Sequence, residues 1–347
     1  MSYEVQRIGT STPNSHGEGI GVAVLDSGID FNHTDLTPAP NALGTAFNAF
    51  TPGASCQDNA GHGTHVSGLI AAQDNNQDIV GVAPKATLYC VKVLDGTLNG
   101  DESQAIAGLD WVLQNCNTVT PSIRVVNMSL GRPLQAGEIL DQTPMHAPIQ
   151  ALYNRGIVVV VSAGNDPSKE VTQMVPAGYT EVVAVGGTVA TNGINTCPVV
   201  TYVRADTAAA FTTDGSFTGG RGVTVSAPAE ERSDALSNGL SCTFLFYGTL
   251  STTMGGGATR KIPTQAGLFE ARGTSFAAAL VSGVVARILQ MQLVGHSGDP
   301  NEVEGVRLHL RNNADRKLTA PLDHPWGGVV VTYSFDGERE GVAQAPK

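Results

Sequence analysis

The chain has 347 residues, 41% of them hydrophobic and 15% charged, enough to bury a sizeable core within one α/β domain. Its formal net charge of −11, with only 20 Lys and Arg scattered along the sequence, argues against a nucleic-acid grip built on clustered cations. No stretch approaches the roughly 20 uninterrupted apolar residues of a membrane-spanning helix, and no repeat or low-complexity tract interrupts the chain.

The opening residues MSYEVQRIGT lack the apolar core of a secretory leader. Two readings remain: a cytoplasmic chain, or a secreted one read as a processed mature domain, and the second is preferred. Apolar, β-branched runs then alternate with stretches of helical period, the pattern of parallel strands covered on both faces. In chain order the pattern predicts a strand at Gly21–Leu25, a helix at His62–Ala72, a strand at Thr87–Val93 and a helix at Ser103–Gln114. A strand at Ile123–Met128, a helix at Ile149–Arg155, and strands at Ile157–Ser162 and Glu181–Val185 follow. Residues from about 192 to 271, rich in Gly, Ser and Thr, read as loops and hairpins inserted into the scaffold. Helices are expected at Thr274–Gln292 and Pro300–Arg311, an added strand or hairpin at Trp326–Phe335, and a disordered tail at Gly337–Lys347. The expected architecture is a doubly wound, mostly parallel sheet with helices on both faces, three αβα layers forming one domain over residues 1–336. Such sheets bind ligands at the carboxyl ends of their strands.

The cysteines, Cys56, Cys90, Cys116, Cys197 and Cys242, are odd in number and contain no CxxC, so a zinc or redox motif is a poor reading. Cys90 in TLYCVKVL reads as a buried strand thiol, and Cys197 with Cys242 as a candidate disulfide.

Chemistry concentrates in three segments. VAVLDSGID puts Asp26 directly after an apolar strand, GHGTHVSG opens a small-residue helix with His62, and GTSFAAALVSG opens another with Ser275. A serine hydroxyl needs a base to become a nucleophile, and the base needs a partner to orient it. Taken singly, each segment has a plain alternative. Ser275 is then a helix N-cap, Asp26 a turn carboxylate and His62 a solvated ring. His65 and the other histidines, His16, His33, His146, His296, His309 and His324, are read as structural or solvated.

The order Asp26, His62, Ser275, with these flanking residues, resembles the subtilisin family of serine proteases over roughly residues 3 to 312. The resemblance implies a subtilisin-like serine endopeptidase of broad specificity working at neutral to alkaline pH. A peptide ligase or macrocyclase using the same acyl-enzyme, and a catalytically silent binding protein on the same fold, stay open beside it. It also implies that Asn165 in VVVVSAGND supports the oxyanion together with the Ser275 N–H. Asn127 to Gly131 would pair with an extended peptide, with Ser129, Leu130 and Gly131 forming one wall of the primary pocket. Ala163 and Gly164 would form the other wall, Met174–Ala177 the floor, and Asn99, Gly100 and Asp101 the second flanking strand. Asp58, Asp101, Glu102 and Asp166 would make the cleft acidic. A structural Ca2+ would be held by Asp35 and Asn75 side chains with carbonyls of Gln73, Gln77 and Ile79; a polar loop without metal is the rival reading. Expected partners are polypeptide substrates and a removed inhibitory prosegment, with no nucleic acid and no membrane, the chain itself being a monomer. The chain departs from the family pattern at Ala279-Leu280, where most relatives carry Pro-His, and at Phe276, which replaces a common Met. Without the proline, the helix after Ser275 should run unkinked.

Overall fold

The computed structural model describes residues 3–9, 15–40, 42, 44–76, 79–194, 196, 205–237, 242–252, 268–316 and 340–346. Its elements are α1 (Tyr3–Arg7), β1 (Gly21–Asp26), β2 (Phe47–Asn48), α2 (His62–Ala71), β3 (Thr87–Lys92), α3 (Glu102–Asn115) and β4 (Ile123–Met128). They continue with β5 (Arg132–Pro133), α4 (His146–Tyr153), β6 (Val158–Ser162), β7 (Met174–Val175), β8 (Val182–Val189) and β9 (Val225–Glu230). The last are β10 (Arg232–Ser237), β11 (Cys242–Tyr247), β12 (Thr249–Thr252), β13 (Leu268–Ala271), α5 (Thr274–Gln290) and α6 (Pro300–Asn313).

Strands rich in Val stand at the centre because both of their faces are dry. In β1, Val22 and Val24 join one core cluster with α2, α5 and α6, while Ala23 and Leu25 join the other with α3 and α4. The same alternation in β4 and β6 makes the sheet the middle of three layers. The seven-stranded sheet runs β2-β3-β1-β4-β6-β8-β9, and every pairing in it is parallel. The chain passes from β1 towards β3 over one face and returns to β4 over the other, so β1 stands where the winding reverses. Asp26, its last residue, is therefore placed at a topological switch point.

The predicted strands and helices lie where the pattern puts them, with ends displaced by a few residues. β8 runs on to Val189, and α5 is unbroken over 17 residues, as the absence of a proline allows. Three expectations are corrected. The stretch read as inserted loops contains β9, an edge strand of the main sheet, besides the β10/β11 and β12/β13 antiparallel pairs. Residues 340–346 of the expected tail are docked: Val342 and Ala343 are fully buried, and Ala343 N–H donates to Ser226 O of β9 at 2.8 Å. Ala345 N–H donates in turn to Ile8 O at 2.8 Å, so the segment fills a seam between the sheet edge and α1. Cys90 is not a thiol but is bridged to Cys56, tying β3 to the loop before α2, while Cys116 is free and buried. Cys197, and with it the expected Cys197–Cys242 pairing, and the segment Trp326–Phe335 lie outside the described residues.

Candidate active site

At the carboxyl end of β1, Asp26 is fully buried and its Oδ1 accepts the Ser27 N–H at 2.7 Å. Across from it, His62 opens α2 and brings Nδ1 within 2.8 Å of Asp26 Oδ1 and 3.0 Å of Oδ2. A carboxylate can only accept, so Nδ1 carries the proton and Nε2 is the free base. Helix α2 can come this close because residue 63 is glycine: a Cβ there would stand 2.1 Å from Gly28 O and 3.1 Å from the Asp26 carboxylate. The small residue beside His62 thus serves the approach of helix to strand more than the room around the ring.

Asp58 is the residue that sequence reasoning misplaced. It does not face the cleft but is buried beneath the start of α2, so it adds no charge to the cleft wall. Its Oδ1 accepts Ser27 Oγ–H at 2.9 Å, Ala60 N–H at 2.9 Å and Gly61 N–H at 3.0 Å. Its Oδ2 accepts Thr64 N–H at 2.9 Å and Thr64 Oγ–H at 2.6 Å. One carboxylate therefore satisfies N–H groups at the helix start and ties them to the Asp26 loop. The signal for this role is an Asp four residues ahead of a helical pattern. Lys92, at the end of β3, adds a buried ammonium that donates to Ser27 O and to Asn59 Oδ1. Burial lowers its pKa, partly offset by the charges of Asp58, Asp26 and Asp95.

Burial also disfavours the imidazolium of His62, but the charge and hydrogen bond of Asp26, with the charge of Asp58, outweigh it and raise the pKa above 6.5. His65 is buried on the inner side of α2, its ring tilted 44° against that of Phe276 with centroids 4.4 Å apart. Burial, and then the neighbouring His62, lower its pKa to about 3, so it stays neutral and structural.

Ser275 lies in the first turn of α5. Its Oγ donates to Ser129 O at 3.2 Å, and it lines the same cleft as His62. Gly273, with φ of 154°, turns the chain into the helix and ties it to β9 by donating to Ala229 O at 3.0 Å. Thr274 N–H and Oγ1 both contact Asn165 Oδ1, at 2.9 and 3.0 Å. Because a backbone N–H can only donate, the amide oxygen of Asn165 must face Thr274, which turns Nδ2 away from it.

The cleft has a volume of about 520 Å3. Asn99, Gly100, Asp101, Ser129, Leu130, Gly131, Gly164 and Asn165 all line it, as do Met174 and Val175. Ala163 does not; it is fully buried in the core below, between Ser162 and Gly164, which do. The segment Asn99 to Asp101 forms a loop, not a regular strand. Asn99 already exchanges both main-chain groups with Asp95, and Asp101 N–H is taken by Gln104 Oε1 at 2.7 Å. Glu102 lines the cleft too, but Arg132 beside it holds Glu102 at 2.8 Å and Glu138 at 2.7 Å. The cleft's acidity therefore rests on Asp101 and, in part, on Asp166, which Lys169 approaches at 3.8 Å.

Of the residues expected at a cation site, Asp35 is fully buried and its Oδ1 accepts the Asn75 amide at 3.0 Å. Gln73 donates its N–H to Asp35 O at 3.0 Å, and Ile79 is buried at the loop's end. Gln77 lies outside the described residues. Among the described residues, no group of three or more His, Cys, Asp or Glu could hold a metal ion.

Comparison with known proteins agrees with the fold. The model of the subtilase family, Peptidase_S8, matches residues 17–327. Subtilisin E of Bacillus subtilis (strain 168) is 41% identical over 180 residues, 51% of this chain and 42% of that protein. The extracellular serine proteinase of Thermus sp. (strain Rt41A) is 41% identical over 184 residues, 53% of this chain and 40% of that protein. The match thus spans less than half the length of these two relatives. The crystal structure of a cold-adapted subtilisin-like serine proteinase superposes with a TM-score of 0.62 at 22% identity, covering 99% of this chain and 98% of that one. A family model matched from residue 17 to 327 takes in the switch-point strand, both helices and the cleft between them, and the chain belongs to the subtilase family.

Proposed function

We propose that this protein is a serine endopeptidase that hydrolyses peptide bonds of polypeptide substrates through an acyl-enzyme on Ser275. The observation that carries the reading is the buried Asp26 carboxylate 2.8 Å from Nδ1 of His62, which lines one cleft with Ser275 and Asn165. In the cycle, a turn of the Ser275 side chain moves Oγ from Ser129 O towards His62 Nε2. His62 removes the hydroxyl proton as Oγ attacks the substrate carbonyl carbon, and Asp26 holds the tautomer and stabilises the imidazolium. The carbonyl electron pair moves onto oxygen, where Asn165 Nδ2 and the Ser275 N–H donate to it. Collapse breaks the C–N bond, with the His62 proton going to the leaving amine. Water, deprotonated by His62, then releases the acid by the same steps.

Main-chain groups along Ser129–Gly131 and at Gly100 supply strand-like affinity without reading side chains, which supports broad specificity. Asp101 and Asp166 should let Lys or Arg be tolerated at subsites before the scissile bond, and strict exclusion of basic residues there by a peptide library would count against this. Asp35 and Asn75 side chains, with the carbonyls of Gln73, Gln77 and Ile79, are the set to which we assign a structural Ca2+; Asn75 presents its amide N–H to Asp35 Oδ1, so its oxygen would have to turn inward to complete an all-oxygen site. Bound there, the ion would pin the loop after α2 to the Asp35 turn. At a free concentration about a hundredfold above Kd it would add about 2.7 kcal/mol, read as a chelator-sensitive melting temperature.

Covalent labelling by a fluorophosphonate tests the central reading. Wild type is expected to label at Ser275 and Ser275→Ala not at all. Peptidase activity of Ser275→Ala above about a thousandth of wild type would refute it, since loss of such a nucleophile normally costs near a millionfold.

A further inference from the structure

Behind the cleft, a row of polar groups crosses the otherwise apolar contact between β4 and α5. Ser282 Oγ–H donates to Asn127 Oδ1 at 3.0 Å, and Asn127 Nδ2–H donates to Ser129 Oγ at 3.0 Å. Ser129 Oγ–H donates to Ser275 O at 2.7 Å, while Ser275 Oγ–H returns a bond to Ser129 O at 3.2 Å. Ser282 and Asn127 are fully buried, and Ser129 is 4% exposed.

The direction of the row is fixed by proton counting. Ser275 O can only accept, so the one hydroxyl proton of Ser129 is spent there and Ser129 must receive a proton from Asn127. The Asn127 amide must then turn its NH2 towards Ser129 and its oxygen towards Ser282, which must donate. A helical serine ordinarily returns its proton to the carbonyl one turn back. Ser282 instead reaches across to the strand. It follows Ser275 by seven residues, two turns along the same helix face, so both serines look at the end of β4.

We propose that Ser282 and Asn127 are positioning residues for Ser275: the one-way relay Ser282–Asn127–Ser129 seats the first turn of α5 against the substrate-lining strand. The inference rests on Ser275 being the nucleophile. Its main-chain N–H, an oxyanion donor, and its Oγ share one backbone unit whose carbonyl the relay holds. Loosening the relay leaves substrate binding intact while blurring the attack geometry, so the loss should fall on kcat and not on KM.

The experiment is a double-mutant cycle of Ser282→Ala and Ser129→Ala in the full chain, with kcat, KM, fluorophosphonate labelling rate and melting temperature measured for each. Losing one buried neutral hydrogen bond should lower kcat and labelling in Ser282→Ala by about three- to tenfold, with KM within about twofold. In the Ser129→Ala background the same substitution should cost nothing further, because the relay is already cut there. Ser282→Thr, which keeps the hydroxyl, should restore the rate. Full additivity of the two substitutions, or a lowered melting temperature with unchanged kcat, overturns the relay while leaving the nucleophile in place. A wild-type protein that does not label at all removes the nucleophile, and both readings fall together.

Discussion

Asn165 is held by its oxygen, since Thr274 N–H and Oγ1–H both approach Oδ1, which leaves Nδ2 for the oxyanion role proposed for it. Removing the amide in Asn165→Ala therefore costs the transition state about 3–4 kcal/mol, a hundredfold or more in kcat with KM little changed, as steady-state kinetics will show. In the proposed cycle His62 must be neutral to accept the Ser275 proton, and its pKa lies above 6.5. Activity should thus rise with pH through a midpoint above that value. In Asp58→Asn, with one supporting charge gone, the acid limb of kcat/KM should move to lower pH. His65 carries the opposite sign: the unfolded chain takes up a proton below 6.5, whereas the folded ring resists until about 3. Its contribution to stability is complete above 6.5 and is lost at about 1.4 kcal/mol per pH unit as pH falls between the two, which denaturant melts of wild type and His65→Gln will resolve. Asp26, His62 and Ser275 stood out because each ends a strand or opens a helix beside small residues, and Asn165 because it follows an apolar strand and a glycine. Asp58 was not, since a buried acid and a cleft-facing acid look alike in a polar loop. Ser282 was hidden among alanines and valines, its partner being distant in sequence.

Helix α2 and strand β1 meet at Gly63, where no Cβ fits beneath Gly28 O. Gly63→Ala should push the helix off the Asp26 loop, costing about 1–3 kcal/mol in a thermal melt and lengthening the Asp26–His62 bond enough to lower kcat. Elements with continuous apolar runs, β1, β4 and β6, were readable because a strand buried on both faces has no other composition. β9 was not: VSAPAE contains a proline that removes a ladder donor, which a strand tolerates only at an edge, and the edge is its place. The Cys56–Cys90 bridge was equally silent, joining positions 34 residues apart with no spacing rule to mark them.

On the scale of the whole molecule, the far edge of the sheet is closed by residues 340–346, which carry no period and whose partners, Ser226, Asp315 and Ile8, are scattered along the chain. No local pattern could announce that docking. Its removal should be felt globally. Deleting residues 340–347 strips Val342, Ala343 and Ala345 from the core and should lower the melting temperature by several degrees, about 2–4 kcal/mol at the area coefficient of apolar burial, before it touches kcat. For the proposed endopeptidase, the docked segment has one more effect. Pinned by its N–H groups to Ser226 and Ile8, it is withheld from the clefts of neighbouring copies. Self-digestion at this end of the chain must then wait for the sheet edge to open, and an enzyme stored at high concentration should keep its length for as long as β9 keeps its cover.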